Sequence, residues 1–161
     1  MIILGIDPGT AMTGFGVIHC GKKQIKLLEH GSIKTSNHHD SPYRLNLIYQ
    51  ETLKVIQKHK PGVLAIESLF FSSNAKSALA VGQAIGVIKL AAAKKKLKVF
   101  EYPPLKIKMK LVGNGRAEKR EVQSKVRKVL KIRKLPRPTH AADALGVAIC
   151  HWLEIQKKSV V

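Results

Sequence analysis

The sequence predicts an α/β protein built on a mixed five-stranded sheet with helices on both faces. Three short apolar or alternating segments open the chain and are separated only by turn residues, which predicts an antiparallel meander. Helical and strand patterns then alternate, and helical patterns alone fill the remainder. Because 161 residues is a length typical of one domain, we expect residues 1–161 to form a single domain.

Each element follows from a local pattern of apolar residues. Period-two or continuous apolar runs, bounded by Gly, Pro, Asn or Lys, indicate the strands, and apolar residues at a spacing of three or four indicate the helices. The predicted strands cover 2–6, 13–20, 24–33, 63–67 and 97–102, and the predicted helices cover about 42–58, 74–93, 103–112, 117–132 and 139–155.

The charge balance indicates a polyanionic partner. There are 29 Lys and Arg against 10 Asp and Glu, a net charge of +19, so the protein attracts nucleic acid. The excess is greatest over residues 94–137, which hold 17 Lys and Arg and three acids, and binding should therefore weaken steeply with salt. We expect no membrane contact, because the uncharged stretch between Lys76 and Lys89 is too short to span a bilayer, and we expect a cytoplasmic protein. Cys20 and Cys150 look like reduced core residues.

Two acids stand at the ends of predicted buried strands. Asp7 closes the first strand before a Pro-Gly-Thr turn, and Glu67 closes the fourth before a Ser loop. The carboxyl ends of strands are where open mixed sheets hold their sites, so the two side chains converge if the strands are neighbours. Taken alone, each acid is explained equally well as a cap for the turn or helix that follows.

A third element with metal-competent side chains is the start of the last helix. Thr139 is a suitable N-cap, which places His140 and Asp143 in the first turn and on one face. Their neighbours are alanines, so the helix end can lie close to the sheet. Alternatively, Asp143 only stabilises the helix, because a negative charge in the first turn interacts favourably with the helix dipole.

Together these residues suit phosphodiester hydrolysis. The reaction needs a deprotonated water and neutralisation of the charge that develops on the phosphate, and two divalent ions about 4 Å apart provide both. Hard ions take oxygen ligands, which carboxylates supply. His140 can either ligate a metal or move a proton.

Five segments resemble, in order, the RuvC family of crossover junction endodeoxyribonucleases, and the resemblance covers nearly the whole chain. They are IDPGTAMTGFGVI, IES with LFF, SALAVGQAIGVI, GNGRAEKREV and HAADALGVAI. The resemblance implies a ribonuclease H-like fold and a homodimer that makes symmetric, metal-dependent cuts in four-way (Holliday) DNA junctions during recombination and repair. It also implies a branch-migration motor complex as a partner.

The resemblance also implies roles for individual residues. Mg²⁺ or Mn²⁺, with two ions per active site, would be held by four residues, and two lysines would act near the scissile phosphate. An aromatic residue would stack on an unpaired base at the junction centre. The implied ligands are Asp7, Glu67, His140 and Asp143, the lysines are Lys108 and Lys119, and the aromatic is Phe70.

Three further features of the sequence bear on partners. The turn Gly113–Arg116 and the adjacent Arg120 are candidates for DNA binding, although a lone glycine-rich turn is a weak signal. Gly82 and Gly86 leave one helix face nearly bare, which suits either a subunit interface or packing within the chain. His140 stands where most members of the resembled family carry Asp, so Mn²⁺ should support turnover at least as well as Mg²⁺, or His140 is a proton shuttle.

Other functions compete with this one. A ribonuclease H-like nuclease of the YqgF type, acting on structured RNA, would share the strand-end acids. A non-catalytic basic nucleic-acid-binding protein would explain the charge but would need no convergent acids, whose repulsion destabilises the fold. A kinase or ATPase, suggested by the Asp-Pro-Gly-Thr turn, would need a second lobe for which the chain has no room.

Overall fold

The computed structural model of the chain describes residues 1–22, 24–69 and 74–158. The elements agree with the predicted ones to within about two residues at most ends, as is usual where helix ends fray. In chain order they are β1 (Ile2–Asp7), β2 (Met12–Cys20), β3 (Ile25–Lys34), α1 (Ser41–His59), β4 (Val63–Glu67), α2 (Ala75–Lys94), β5 (Lys98–Tyr102), α3 (Pro104–Val112), α4 (Lys119–Leu130) and α5 (Thr139–Lys158).

The sheet is mixed and has the strand order β3-β2-β1-β4-β5. The first three strands form the expected antiparallel meander. β4 adds to the free side of β1 in parallel, and β5 adds in parallel to β4. The parallel pairs need crossovers, which α1 and α2 provide. The predicted mixed sheet is therefore confirmed, and β1 lies at its centre.

Helices cover both faces, because consecutive residues of the central strands point to opposite sides. Ile3 of β1 and Ala65 of β4 lie in a core with α3, α4 and α5. Leu4 and Ile66 lie in a second core with α1 and α2. The central strands are thus apolar on both faces, and charged residues on them are tolerated only at their ends.

Capping residues fix where several helices begin. The Asp40 carboxylate accepts a hydrogen bond from the amide of Tyr43 and opens α1, and the Asn74 side chain does the same for Ser77 and α2. Glu118 and Glu121 form a capping box at the start of α4. This box places Lys119 in the first turn of α4.

The helix α2 contains the uncharged stretch between Lys76 and Lys89 and extends beyond it at both ends. Among the described residues, α2 is a helix long and apolar enough to cross a membrane by length and composition alone. It has 20 residues, and its most apolar 18-residue stretch has a mean hydropathy of 1.3. Only 33% of that stretch is buried. Core helices can have the same length and composition, and α2 packs Ile85, Ile88 and Ala92 into the core that it shares with α1.

Both cysteines are free and buried. Cys20 is 8% exposed and Cys150 is fully buried, and both belong to the core on the α5 face of the sheet. Burial raises the pKa of the Cys20 thiol to about 11 and that of Cys150 to about 12. They are therefore neutral packing residues at ordinary pH, as expected.

Candidate active site

The strand-end acids meet at one edge of the sheet because β1 and β4 are parallel neighbours. Ile6 of β1 is in register with Ile66 of β4, so Asp7 and Glu67 follow side by side where the strands end. Each strand is buried up to that point, and each acid is only partly buried. The topology therefore brings two carboxylates together from positions 60 residues apart in the sequence.

The start of α5 lies against the same edge. Two glycines allow it: a Cβ on Gly14 of β2 would overlap the backbone carbonyl of His140, and a Cβ on Gly5 of β1 would overlap that of Ala144. Ala141, Ala142 and Ala144 are buried in the contact. The sequence predicts Thr139 as the N-cap, the residue that precedes the first helical residue, but it is itself the first residue of α5. His140 and Asp143 lie in the first turn of α5 as expected.

The side chains of Asp7, His140 and Asp143 form a compact cluster. Their potential ligand atoms all lie within 4.8 Å of one another. His140 Nδ1 is 2.7 Å from Asp7 Oδ2, and Lys119 Nζ donates to Asp143 Oδ2 over 2.6 Å. Glu67 lines the same cleft but does not belong to the 4.8 Å cluster.

The cluster opens into a cleft of about 380 Å³. The acids and His140 line the cleft together with Lys108 of α3 and Lys119 of α4. Pro104, Ile107 and Val122 form the apolar wall of the cleft. The cleft therefore combines anionic groups suited to metal ions with cationic groups suited to phosphate oxygens.

Burial and mutual repulsion make the acids harder to ionise. Burial is the main cause that raises the pKa of Glu67 to about 7, and the charges of Asp7 and Asp143 add to the effect, while Lys119 and Lys108 oppose it. Burial also raises the pKa of Asp7, against the hydrogen bond with His140 and with a further upward contribution from Asp143. Such crowded carboxylates are typical of functional sites.

The raised pKa of Glu67 predicts a pH-dependent gain in stability for Glu67→Gln. Between its ordinary value of 4.5 and about 7, the folded state binds more protons at this site than the unfolded state. The free energy of unfolding therefore falls as pH rises through this window. Without divalent ions, Glu67→Gln should raise the free energy of unfolding by about 1 to 3 kcal/mol at pH 8 and change it little at pH 4.

Urea denaturation of the wild type and Glu67→Gln at the two pH values measures this difference. Glu51→Gln is the matched control, because it removes a carboxylate that pairs with Lys54 on the surface of α1. If Glu67→Gln changed the free energy of unfolding by the same amount at both pH values, the assignment of a raised pKa to Glu67 would be contradicted.

The structure places the other proposed DNA-binding residues outside the cleft. Arg116 is exposed in the turn before α4, where its backbone amide donates to Asn114 Oδ1 over 2.9 Å. Arg120 is 83% exposed, pairs with Glu118 and lines a separate groove between α3 and α4. Phe70 lies outside the described residues. The proposed roles of these three residues remain predictions.

Sequence reasoning missed the apolar wall of the cleft. Ile107 and Val122 follow helical spacing and are 6% and 9% exposed, so they looked like ordinary core residues. It also missed a second cleft of about 240 Å³ on the other side of Asp7 and Glu67, lined in part by Ser68 and Ser77. No sequence signal marks either feature, because they depend on how α2, α3 and α4 lie against the sheet edge.

The donor set fits divalent metal ions. Carboxylate oxygens are the preferred ligands of hard cations, and an imidazole nitrogen is compatible with Mn²⁺. Burial raises the pKa of both Asp7 and Glu67, and a bound cation would favour their charged forms. Asp7, Asp143, His140 and Glu67 are the residues that would hold such ions.

A mixed sheet of this order, with convergent acids at the ends of β1 and β4, defines a ribonuclease H-like protein. The chain matches the family model described as crossover junction endodeoxyribonuclease RuvC over residues 3–151. It is 47% identical to the RuvC endonuclease of Alkaliphilus oremlandii and 47% identical to that of Finegoldia magna, in each case over 94% of this chain and 92% of the relative. The protein therefore belongs to the RuvC family, and it is a nuclease.

A solved structure of the family agrees with the fold throughout. The Thermus thermophilus RuvC structure in complex with its Holliday junction substrate superposes with a TM-score of 0.93 and 34% identity. The match covers 99% of this chain and 97% of that chain.

Proposed function

We propose that this protein is a structure-selective endonuclease that resolves four-way DNA junctions by metal-dependent phosphodiester hydrolysis in recombination and repair. The observation that carries the proposal is a single cleft in which acids from β1, β4 and α5 face two lysines from α3 and α4. Membership of the RuvC family and the junction-bound state of the Thermus thermophilus relative support the choice of DNA junctions as substrate. Residues 1–161 act as a single nuclease domain in the cytoplasm.

The residues of the chain divide the work of hydrolysis. Divalent cations, when bound by the acids and His140, would make a water more acidic and would neutralise charge on the phosphate. Lys108 and Lys119 would attract the phosphate oxygens into the cleft. Asp7 orients the imidazole of His140 through the 2.7 Å contact, which suits His140 either to ligate a metal or to move a proton.

Mg²⁺ or Mn²⁺, with two ions per site, is the proposed cofactor. The carboxylates of Asp7, Glu67 and Asp143 would supply oxygen ligands, and the ligand atoms of Asp7, His140 and Asp143 already lie within 4.8 Å of one another. The imidazole reduces the negative charge of the donor set and favours softer ions than Mg²⁺. Mn²⁺ should therefore support turnover at least as well as Mg²⁺.

A junction-cleavage assay tests the proposal directly. Synthetic four-way junctions are incubated with the protein without metal, with Mg²⁺ and with Mn²⁺, and structured RNA of similar size is tested in parallel. Paired cuts in opposite strands that require metal are expected with the junction. Cleavage of RNA in preference to the junction would favour a YqgF-type activity, and metal-dependent binding without cleavage would contradict the proposal.

A homodimer is the proposed functional unit, with α2 at the interface. The outer face of α2 is unusually open, because a Cβ on Gly86 would meet no atom within 4 Å. Leu79 is 68% exposed and Leu90 is 50% exposed on the same helix. A two-fold dimer through this face would present two active sites to a two-fold junction, which explains symmetric cuts.

Gly86→Arg should therefore convert the dimer into a monomer. An arginine at the centre of the open face places a long charged side chain where the two backbones would approach. Sedimentation velocity would report the change in mass. Gln24→Arg, at the turn between β2 and β3 on the opposite edge of the sheet, adds the same charge and should leave the mass unchanged. A monomeric wild type, or a Gly86→Arg dimer, would contradict this interface.

Further contacts to the junction and to other proteins complete the proposal. Arg116 and Arg120 flank the start of α4 and would contact phosphates outside the cleft, and Phe70 would stack on a base at the junction centre. The high positive charge should make junction affinity fall steeply as salt is added. A branch-migration motor complex is the proposed protein partner.

A further inference from the structure

We infer that Lys119 is an internal counter-ion for Asp143, which a divalent cation must displace, and that this displacement releases the lysine towards the substrate phosphate. The inference rests on the proposed metal site and adds a positioning role for one residue of that site. The ammonium group of Lys119 would pair first with the Asp143 carboxylate and then, once metal is bound, with the substrate phosphate.

The ion pair is the observation that carries the inference. Lys119 Nζ lies 2.6 Å from Asp143 Oδ2, and the Asp143 side chain is only 21% exposed. The Lys119 side chain is 56% exposed, so it can swing away from the carboxylate without leaving a buried charge. Asp143 is thus held by a cation that is itself free to move.

The neighbouring acid of the cluster is held in a similar way. His140 Nδ1 contacts Asp7 Oδ2, so both carboxylates of the 4.8 Å cluster are engaged by a nitrogen of the chain. His140 itself belongs to the proposed ligand set, whereas an ammonium group has no lone pair to offer a metal ion. Of the two groups that contact these carboxylates, His140 and Lys119, it is therefore Lys119 that metal binding must move.

Metal and lysine compete for one oxygen. An ion ligated by Asp143 Oδ2 at ordinary distances would lie within about 5 Å of Nζ if the lysine stayed in place. Repulsion between a divalent and a monovalent cation at that range opposes simultaneous occupancy, even where solvent screens part of it. Binding of one therefore favours release of the other.

The second lysine of the cleft provides an internal comparison. Lys108 lines the same cleft and lowers the pKa of Glu67 through its charge, as Lys119 does. Among the ion pairs of residues 1–22, 24–69 and 74–158, Lys108 has no carboxylate partner, whereas Lys119 has Asp143. A general effect of positive charge on metal affinity should be common to both lysines, but direct competition is specific to Lys119.

Isothermal titration of the DNA-free protein with MnCl₂ tests the competition. We expect Lys119→Met to bind Mn²⁺ about 5-fold more tightly than the wild type, the scale set by a partly exposed ion pair. Lys119→Arg keeps a cation beside Asp143 and should bind Mn²⁺ as the wild type does. Lys108→Met should change the affinity less than Lys119→Met, and thermal unfolding should show that all three variants are folded.

Direct observation of the ammonium group provides a second readout. In the metal-free protein, the NMR signal of Lys119 Nζ should show the slowed proton exchange of a fixed ion pair, and addition of Mg²⁺ should remove that protection. Equal gains in affinity for Lys119→Met and Lys108→Met, or an Nζ signal that Mg²⁺ leaves unchanged, would overturn the inference. Failure of the wild type to bind any divalent ion would instead overturn the proposed metal site and the inference with it.

Discussion

Asp7→Asn is expected to lower the rate of junction cleavage by about 10³-fold or more while junction affinity stays the same or rises. Asn has the same shape but no charge, so it weakens metal binding at the centre of the cluster formed with His140 and Asp143. It also removes repulsion between a partly buried carboxylate and the DNA phosphate. Single-turnover cleavage rates and electrophoretic mobility shifts at matched salt would measure both effects.

Asp40→Asn is the control for this prediction. Asp40 caps α1 on the surface, where its side chain accepts from the amide of Tyr43, and Asn is an equally good cap. This variant should cleave and bind as the wild type does. If Asp7→Asn lost junction binding but kept its cleavage rate per bound complex, the acid would serve the DNA interface and not the chemistry.

Gly14→Ala is expected to disrupt the site by pushing α5 away from β2. The added methyl group would overlap the backbone carbonyl of His140, and backbone cannot move aside as a flexible side chain can. We expect a loss of about 1 to 3 kcal/mol in the free energy of unfolding. Because Gly14 is paired with Asp7 in the sheet, α5 must shift relative to Asp7, and a shift of about 1 Å is enough to lower cleavage by about 10²-fold.

Gly146→Ala separates this steric effect from a general effect of glycine replacement. Gly146 lies within α5, and its added Cβ would be 3.6 Å from Leu111, an ordinary van der Waals distance. Alanine also favours helix over glycine by about 1 kcal/mol. Gly146→Ala should therefore be neutral or stabilising, and a Gly14→Ala variant of unchanged stability and rate would contradict the proposed packing of α5.

Much of the fold could be predicted because its signals are local. The antiparallel meander follows from alternating segments with short turns, and the order of later elements limits β4 and β5 to parallel strands. The extent of α2 could be predicted to within one residue at each end, although Lys76 and Lys89 both lie within the helix. Helix ends follow from caps such as Asn74, whereas the charges within a helix say little about where it ends.

The acids of the site could be predicted for a different reason. A carboxylate that closes an apolar strand is conspicuous, and the sheet order then determines that Asp7 and Glu67 are neighbours. The pairing of Lys119 with Asp143 could not be predicted, because it depends on how α4 packs beside α5. That Glu67 stands apart from the compact cluster of Asp7, His140 and Asp143 could not be predicted either, because it depends on how α5 lies against the sheet.

The most direct test of the account is to locate metal ions in crystals soaked with MnCl₂. Anomalous scattering should show Mn²⁺ in the cleft, within ligand distance of Asp7 and Asp143 and with Glu67 or His140 completing the set. Mn²⁺ bound elsewhere on the protein, with no anomalous peak in the cleft at saturating concentration, would contradict the claim that these side chains form the metal centre of a nuclease.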